Sequence, residues 1–113
     1  MTRCMKLQAA PFAMIKSGRK TYELRLYDEK RRAIAIGDEI VFSHAVTGEK
    51  VRCTVISLRR FPSFSALYAS LPLLACGYTE ETVGSASPED MAQYYEKEDE
   101  LRYGVLAIEI RLS

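Results

Sequence analysis

Gly18-Arg19-Lys20-Thr21-Tyr22-Glu23-Leu24-Arg25-Leu26-Tyr27 is the stretch whose reading decides the fold. Its opening glycine reads as the stop of a preceding helix. From Tyr22 onward the residues alternate, with Tyr22, Leu24 and Leu26 on one face and Glu23, Arg25 and Tyr27 on the other. That period of two predicts a half-buried strand. A strand rises about 3.3 Å per residue, so Glu23 and Arg25 stand roughly 6 to 7 Å apart on the same side. Lys20, at the strand's mouth, can lean over that face on its long stem. Two cations and one carboxylate so placed suit an anion or a polarised carbonyl. On spacing alone, a solvated sheet face with one ion pair is the plainer expectation.

Working outward, Met5-Lys6-Leu7 predicts a short first strand, and Pro11 sits at the first turn of a helix running from Phe12 to Ser17. Phe12 and Ile15, three apart, give that helix its buried face. Downstream, Asp28-Glu29-Lys30-Arg31-Arg32 is a charged connection, and Gly37-Asp38-Glu39 turns the chain into a strand over Ile40–His44. The turn Thr47-Gly48-Glu49 makes residues 40–59 a hairpin, whose return strand alternates Val51, Cys53 and Val55 with Arg52, Thr54 and Ile56. Phe64, Leu67, Tyr68 and Leu71 fall at helical spacing, and Pro72 stops that helix. Residues 73–87 show no period and read as a surface loop. Ser87-Pro88-Glu89-Asp90 is a helix start, with a cap, Pro at the first position and acids in the first turn. That helix is expected to run to Asp99 or nearby, with Met91, Tyr94 and Tyr95 on its inner face. Tyr103 to Ile110 is nearly all apolar and is expected as a central strand. About five short strands with few helices predict a small barrel-like sheet flanked by helices. No Gly-x-Gly-x-x-Gly follows a strand, which argues against a dinucleotide-binding parallel unit.

The chain has 113 residues, 48% hydrophobic and 27% charged, which fits one globular domain over 1–113. No apolar run is long enough for a membrane, and Met1 to Leu7 lacks the apolar core of a signal peptide. Cys4, Cys53 and Cys76 have no metal spacing and lie in apolar settings, so all three are expected as buried thiols in a reducing cytoplasm. One histidine, His44, adds no metal or catalytic set, and no cofactor is expected. The net charge of +1 hides an asymmetry: residues 1–60 carry 13 Lys/Arg against 6 Asp/Glu, and residues 61–113 carry 3 against 9. A general polyanion binder would show a strong overall excess. A localised basic surface remains compatible with these numbers. The acids from Glu80 to Glu100 read as a solvated helix and loop, or as a face for a protein partner or a second copy.

Gly18, Lys20, Glu23 and Arg25 form the pattern Gly-x-Lys-x-x-Glu-x-Arg without insertion. With Met5-Lys6-Leu7, Pro11-Phe12, the Gly37-Asp38 turn before Ile40-x-Phe42 and the closing Tyr103-Gly104 strand, the chain resembles the ASCH family over essentially its whole length. The resemblance implies a mixed α/β, PUA-like fold, a small β-barrel of about five or six strands flanked by short helices, with the motif side chains projecting into a cleft. It also implies RNA binding. Some members of the family resemble amidohydrolases that remove the acetyl group of N4-acetylcytidine, and another branch is linked to ribonuclease activity. In the amidohydrolase branch a lysine, a threonine and a distant glutamate form the catalytic set. Lys20 matches the lysine, Glu23 stands where the threonine is expected, and the distant glutamate has no clear match.

Three functions are therefore expected, in this order. The first is binding of single-stranded RNA, a nucleotide or a nucleoside by Lys20, Glu23 and Arg25, with Tyr27, Tyr68 and Tyr103 as stacking surfaces and Lys6 as a neighbouring cation. The second is hydrolysis of a modified nucleoside or of RNA, with Lys20 polarising and Glu23 as general base. The third is a protein-interaction module or self-association through the acidic segment.

Overall fold

A computed structural model describes all residues, 1–113. Its five strands are β1 (Thr2–Leu7), β2 (Tyr22–Leu26), β3 (Glu39–His44), β4 (Lys50–Phe61) and β5 (Val105–Leu112). They form one sheet in the order β1-β3-β4-β5-β2, parallel between β1 and β3 and antiparallel elsewhere. The sheet curls into a half-barrel flanked by α1 (Ala9–Lys16), α2 (Glu29–Arg32), α3 (Phe64–Ser70) and α4 (Lys97–Tyr103). It does not close, because β1 and β2 remain its edges. A register shift between Val55 and Ser57 marks a bulge in β4, the kind of irregularity that bends a long strand.

Alternation on β5 divides the interior in two. Leu106, Ile108 and Ile110 join Phe12, Ile15, Ile40, Phe42, Cys53 and Val55 in the larger core. Val105 and Ala107, on the other face, join Leu24, Leu26, Phe64, Leu67, Leu71 and Cys76 in a second core under α3. A strand covered on both faces needs a continuous apolar run, which is why 105–108 shows no polar residue.

The same logic places the decisive strand. Across the β2–β5 ladder Glu23 lies opposite Ile108 and Arg25 opposite Leu106, while Leu24 faces Ala107 and Leu26 faces Val105. Residues directly opposite share a sheet face. Leu24 and Leu26 therefore enter the second core, and Glu23 and Arg25 point to the side of the larger core. Glu23 is only 3% exposed, so the expectation of a solvated polar face is corrected: both faces of β2 are covered.

Other expectations change too. The predicted helix from Ser87 breaks into a 3-10 turn over Pro88–Gln93 and the separate helix α4, and the last strand starts at Val105, not Tyr103. Ser87 and Asp90 cap each other as their sequence suggests, but Asp90 Oδ2 also accepts from the Tyr78 hydroxyl at 2.7 Å. This ties the turn to the 73–87 segment, which itself carries short 3-10 turns at Leu73–Cys76 and Val83–Ser85. Glu100, expected as a solvated acid, is buried and accepts from the Phe64 N–H at 2.8 Å, capping α3 alongside Ser63. Cys4 is exposed, because on edge strand β1 it alternates outward with Thr2 and Lys6 while Met5 and Leu7 turn inward. Cys53 and Cys76 are buried. No helix is long and apolar enough to cross a membrane.

Candidate functional site

Lys20 is delivered to its position by two chain reversals. Gly18, at φ +81°, ends α1, and the Arg19 and Lys20 N–H groups both return to the Met14 carbonyl. Thr21 N–H then donates to the Ala75 carbonyl at 2.8 Å, pinning the start of β2 to the Leu73–Cys76 turn. Gly77 closes that turn at φ +112° and lies against the aliphatic stem of Lys20: a Cβ there would come within 3.4 Å of Lys20 Cδ. The stem is thereby held while the ammonium reaches Glu23.

Glu23 uses both carboxylate oxygens. Oε1 accepts from Lys20 Nζ at 3.0 Å, and Oε2 accepts from Arg25 Nε at 2.8 Å and Nη2 at 2.7 Å. Burial alone would raise the acid, but the charges and hydrogen bonds of Lys20 and Arg25 outweigh it and hold the carboxyl below the usual value. Arg25 is in turn driven further towards its charged form by Glu23 and by the nearby Tyr95 phenol, against the opposing effect of burial. Lys20 keeps donors that Glu23 does not use, since an ammonium has three.

This triad forms part of the wall of a cleft of about 390 Å³, between α1, the start of β2 and the 68–95 region. Pro11 and Met14 of α1 supply an apolar side, and Tyr68, Tyr78, Tyr94 and Tyr95 an aromatic one. A second polar group lines the cleft: the Tyr68 and Tyr78 hydroxyls lie 2.7 Å apart, and Tyr78 continues to Asp90. Burial first, then Tyr68 and Asp90, push the Tyr78 phenol far above its ordinary value, so it stays a neutral donor to an ionised Asp90. Burial pushes the Cys76 thiol, also on the wall, up to about 11, which leaves it protonated and poorly nucleophilic.

Of the residues singled out in the sequence, Lys20, Glu23, Arg25 and Tyr68 thus line one concavity. Tyr27, Tyr103 and Lys6 do not. Tyr27 packs beneath the Arg60 guanidinium at 4.1 Å and near that of Arg32 at 5.5 Å, so its ring is already occupied. Arg102 lies 5.2 Å from the Tyr103 ring, and Lys6 points outward from β1. His44 serves its turn, where Nδ1 accepts from the Val46 and Thr47 N–H groups. Tyr78, Asp90 and Tyr95 were not expected at the site. They come from segments whose packing has no period, and the one signal available was the Ser87-Pro88-Glu89-Asp90 start, which places Asp90 but not its partner.

A family model described as "ASCH domain" matches residues 5–113. Among solved structures, the chain is similar to hypothetical protein PH0355, at 35% identity over 100% of both chains with a TM-score of 0.82. It is also similar to protein PF0455 from Pyrococcus furiosus, at 34% identity over 99% of this chain and 97% of that one, TM-score 0.71. An ASCH domain from Lactobacillus crispatus shares the fold at 11% identity, covering 98% of this chain and 79% of that one, TM-score 0.66. No curated protein matches the sequence.

Proposed function

The chain belongs to the ASCH-domain family of the PUA-like superfamily, and from that premise we propose that it binds single-stranded RNA or a nucleotide in the cleft walled by Lys20, Glu23 and Arg25. The observation that carries this reading is the state of Glu23: both oxygens are bound by fixed cations in a buried place. A carboxylate so held makes a poor general base, because its lone pairs are engaged and its proton affinity is lowered. It makes a good positioning group, since it orients Lys20 and Arg25 towards the cavity without side-chain freedom to lose on binding. A space of about 390 Å³ between aliphatic and tyrosine walls suits one base, and the unused donors of Lys20 suit a carbonyl or phosphate oxygen.

Hydrolysis by the family's amidohydrolase route is not favoured. Glu23 stands where that route expects a threonine, and the hydroxyl nearest in sequence, Thr21, lies before the strand with its backbone tied to Ala75 and Ile110.

Fluorescence anisotropy with labelled single-stranded RNA, and calorimetry with nucleoside monophosphates, test the proposal. Wild-type protein is expected to bind, and Lys20→Ala to bind at least about tenfold more weakly, the loss of one charge-assisted hydrogen bond. Equal binding by Lys20→Ala would move the site elsewhere. Incubation with N4-acetylcytidine is expected to yield no deacetylated product; turnover abolished by Glu23→Gln would overturn the preference for binding.

A further inference from the structure

Seven of the sixteen Lys/Arg side chains have a carboxylate partner: Arg3 with Asp38, Lys16 with Glu49, Lys20 and Arg25 with Glu23, Arg31 with Asp28, Arg52 with Glu39 and Lys97 with Glu100. Three of the other nine come together beside Tyr27 and Tyr103. Three elements end there together: α2 at Arg32, α4 at Tyr103 just after Arg102, and β4 at Phe61 just after Arg60. Arg32, Arg60 and Arg102 appear in no ion pair. Instead Arg60 and Arg32 share the ring of Tyr27, at 4.1 and 5.5 Å from its centroid, and Arg102 lies over Tyr103. The two charges on Tyr27 are therefore at most roughly 10 Å apart, about one Debye length at 0.1 M salt. Arg31 reaches Asp28 through Nη1 at 3.1 Å, and its buried Nε finds no acceptor in the chain. Arg32 and Arg102 line one open concavity with Lys30, Arg31, Asp28 and Glu29, where cations outnumber acids four to two. Two guanidiniums held in place by aromatic contact, repelling each other and in no ion pair, form a surface shaped for an anion that bridges them.

The position of this ledge matters as much as its charge. Tyr27 follows Arg25 by two residues, and its N–H continues the ladder by donating to the Gly104 carbonyl at 3.0 Å. The ledge therefore begins about 7 Å from a wall residue of the cleft. Arg60 and Arg25 also sit opposite the same β5 residue, Leu106, on either side of it, so both belong to one sheet face. The cleft also carries an acid, with Asp90 on its wall and Glu89 exposed next to it.

We infer that Arg32, Arg60 and Arg102 form a phosphate-binding ledge for the backbone of a single-stranded RNA whose base occupies the cleft, so that the ligand is an oligonucleotide and not a free nucleoside. This rests on the cleft reading above. The Tyr27 ring is covered by guanidinium, so the ledge offers charge and not a stacking surface; it grips phosphates and reads no base. Asp90 and Glu89 repel a strand that passes them, which favours a path over the arginines.

An eight-nucleotide single-stranded RNA of mixed sequence, the four nucleoside monophosphates and a polyglutamate competitor test this on the full chain between 50 and 200 mM salt. The RNA is expected to bind at least about tenfold more tightly than any monophosphate at 50 mM. Arg32→Ala/Arg60→Ala is expected to reduce the slope of log K against log salt by about 1.4, two phosphates at 0.7 each, and to leave monophosphate binding unchanged. Arg32→Lys/Arg60→Lys, which keeps the charges, is expected to keep most of the slope. An unchanged slope in the alanine variant, with monophosphates still bound, overturns the ledge and leaves the cleft. Displacement of the RNA by polyglutamate at equal charge concentration also overturns it, in favour of an acidic protein partner. Failure of every probe to bind wild-type protein overturns the cleft reading, and the ledge with it.

Discussion

In the larger core, Phe42, Val55 and Ile108 meet Phe12 and Ile15 of α1, all of them side chains without a polar atom. One strand over, directly opposite Ile108 and on the same face, Glu23 is buried with two cations on it. The two regions are at similar depth and are built on opposite physics. Apolar packing gains free energy from each atom removed from water, about 25 cal/mol per Å². A buried ion triad first has to recover the desolvation of its charges, and an apolar replacement of similar volume is often neutral or stabilising. The core is thus sufficient reason for the fold, and it is not sufficient reason for the triad. On the proposed reading, what the triad supplies is a pair of cations in the cleft wall, each held by a Glu23 oxygen.

The largest expected effect breaks the apolar side of this comparison. Phe42→Ala removes a fully buried ring and should lower stability by about 3–5 kcal/mol in urea unfolding, with ligand affinity of the remaining folded protein unaltered. Glu23→Gln comes next, at about 3 kcal/mol, because it leaves Lys20 and Arg25 buried beside each other without a counter-charge. The two variants differ in a second readout: Glu23→Gln should also weaken RNA binding, since its cations lose their orientation. Tyr78→Phe, in the cleft wall, deletes one donor to Asp90 and should lower stability by about 1 kcal/mol.

The smallest effect is read at the acid end. Glu23 and Asp38 are both depressed in the folded protein, Asp38 to about 2 by the Ala35 N–H first and then by the chain's amino terminus and Arg3. A depressed carboxyl contributes stability that is complete above its unfolded value and is lost as pH falls through the folded one. Melting temperature should therefore fall as pH is lowered from about 4.5 towards 2. Glu23→Gln should flatten the upper part of that decline, and Asp38→Asn the part below the ordinary 3.8. A decline of unchanged steepness in both variants would remove these two acids from the account.

How far the sequence reveals each region follows from the same contrast. Period-2 alternation made β2 and β4 legible, a continuous apolar run did the same for β5, and the Gly-x-Lys-x-x-Glu-x-Arg pattern singled out Lys20, Glu23 and Arg25 together. Alternation could not tell that both faces of β2 are covered, because a charged residue reads as solvent-facing unless its partners are known. Glu23 and Glu100 are such cases: each is buried because a donor arrives from elsewhere, from Lys20 and Arg25 or from the Phe64 N–H. The 88–103 region failed for a related reason. Its start was readable from Ser87 and Pro88, but Tyr95 is stacked on Phe64, and Asp90 is held by Tyr78. Those tertiary anchors decide where the turn stops and α4 begins, and neither leaves a periodic trace. Tyr27 and Tyr103 looked available for stacking because the arginines that lie against them come from other segments or show no contact signal in sequence.

The most direct test of the central claim, that the triad is kept for its ligand and not for the fold, is the triple variant Lys20→Met/Glu23→Leu/Arg25→Met. Urea unfolding and RNA anisotropy are measured on the same preparation. Stability is expected to equal that of wild type or exceed it by up to about 4 kcal/mol, with binding lost. A triple variant as unstable as Glu23→Gln, or one that still binds RNA like wild type, would contradict the claim.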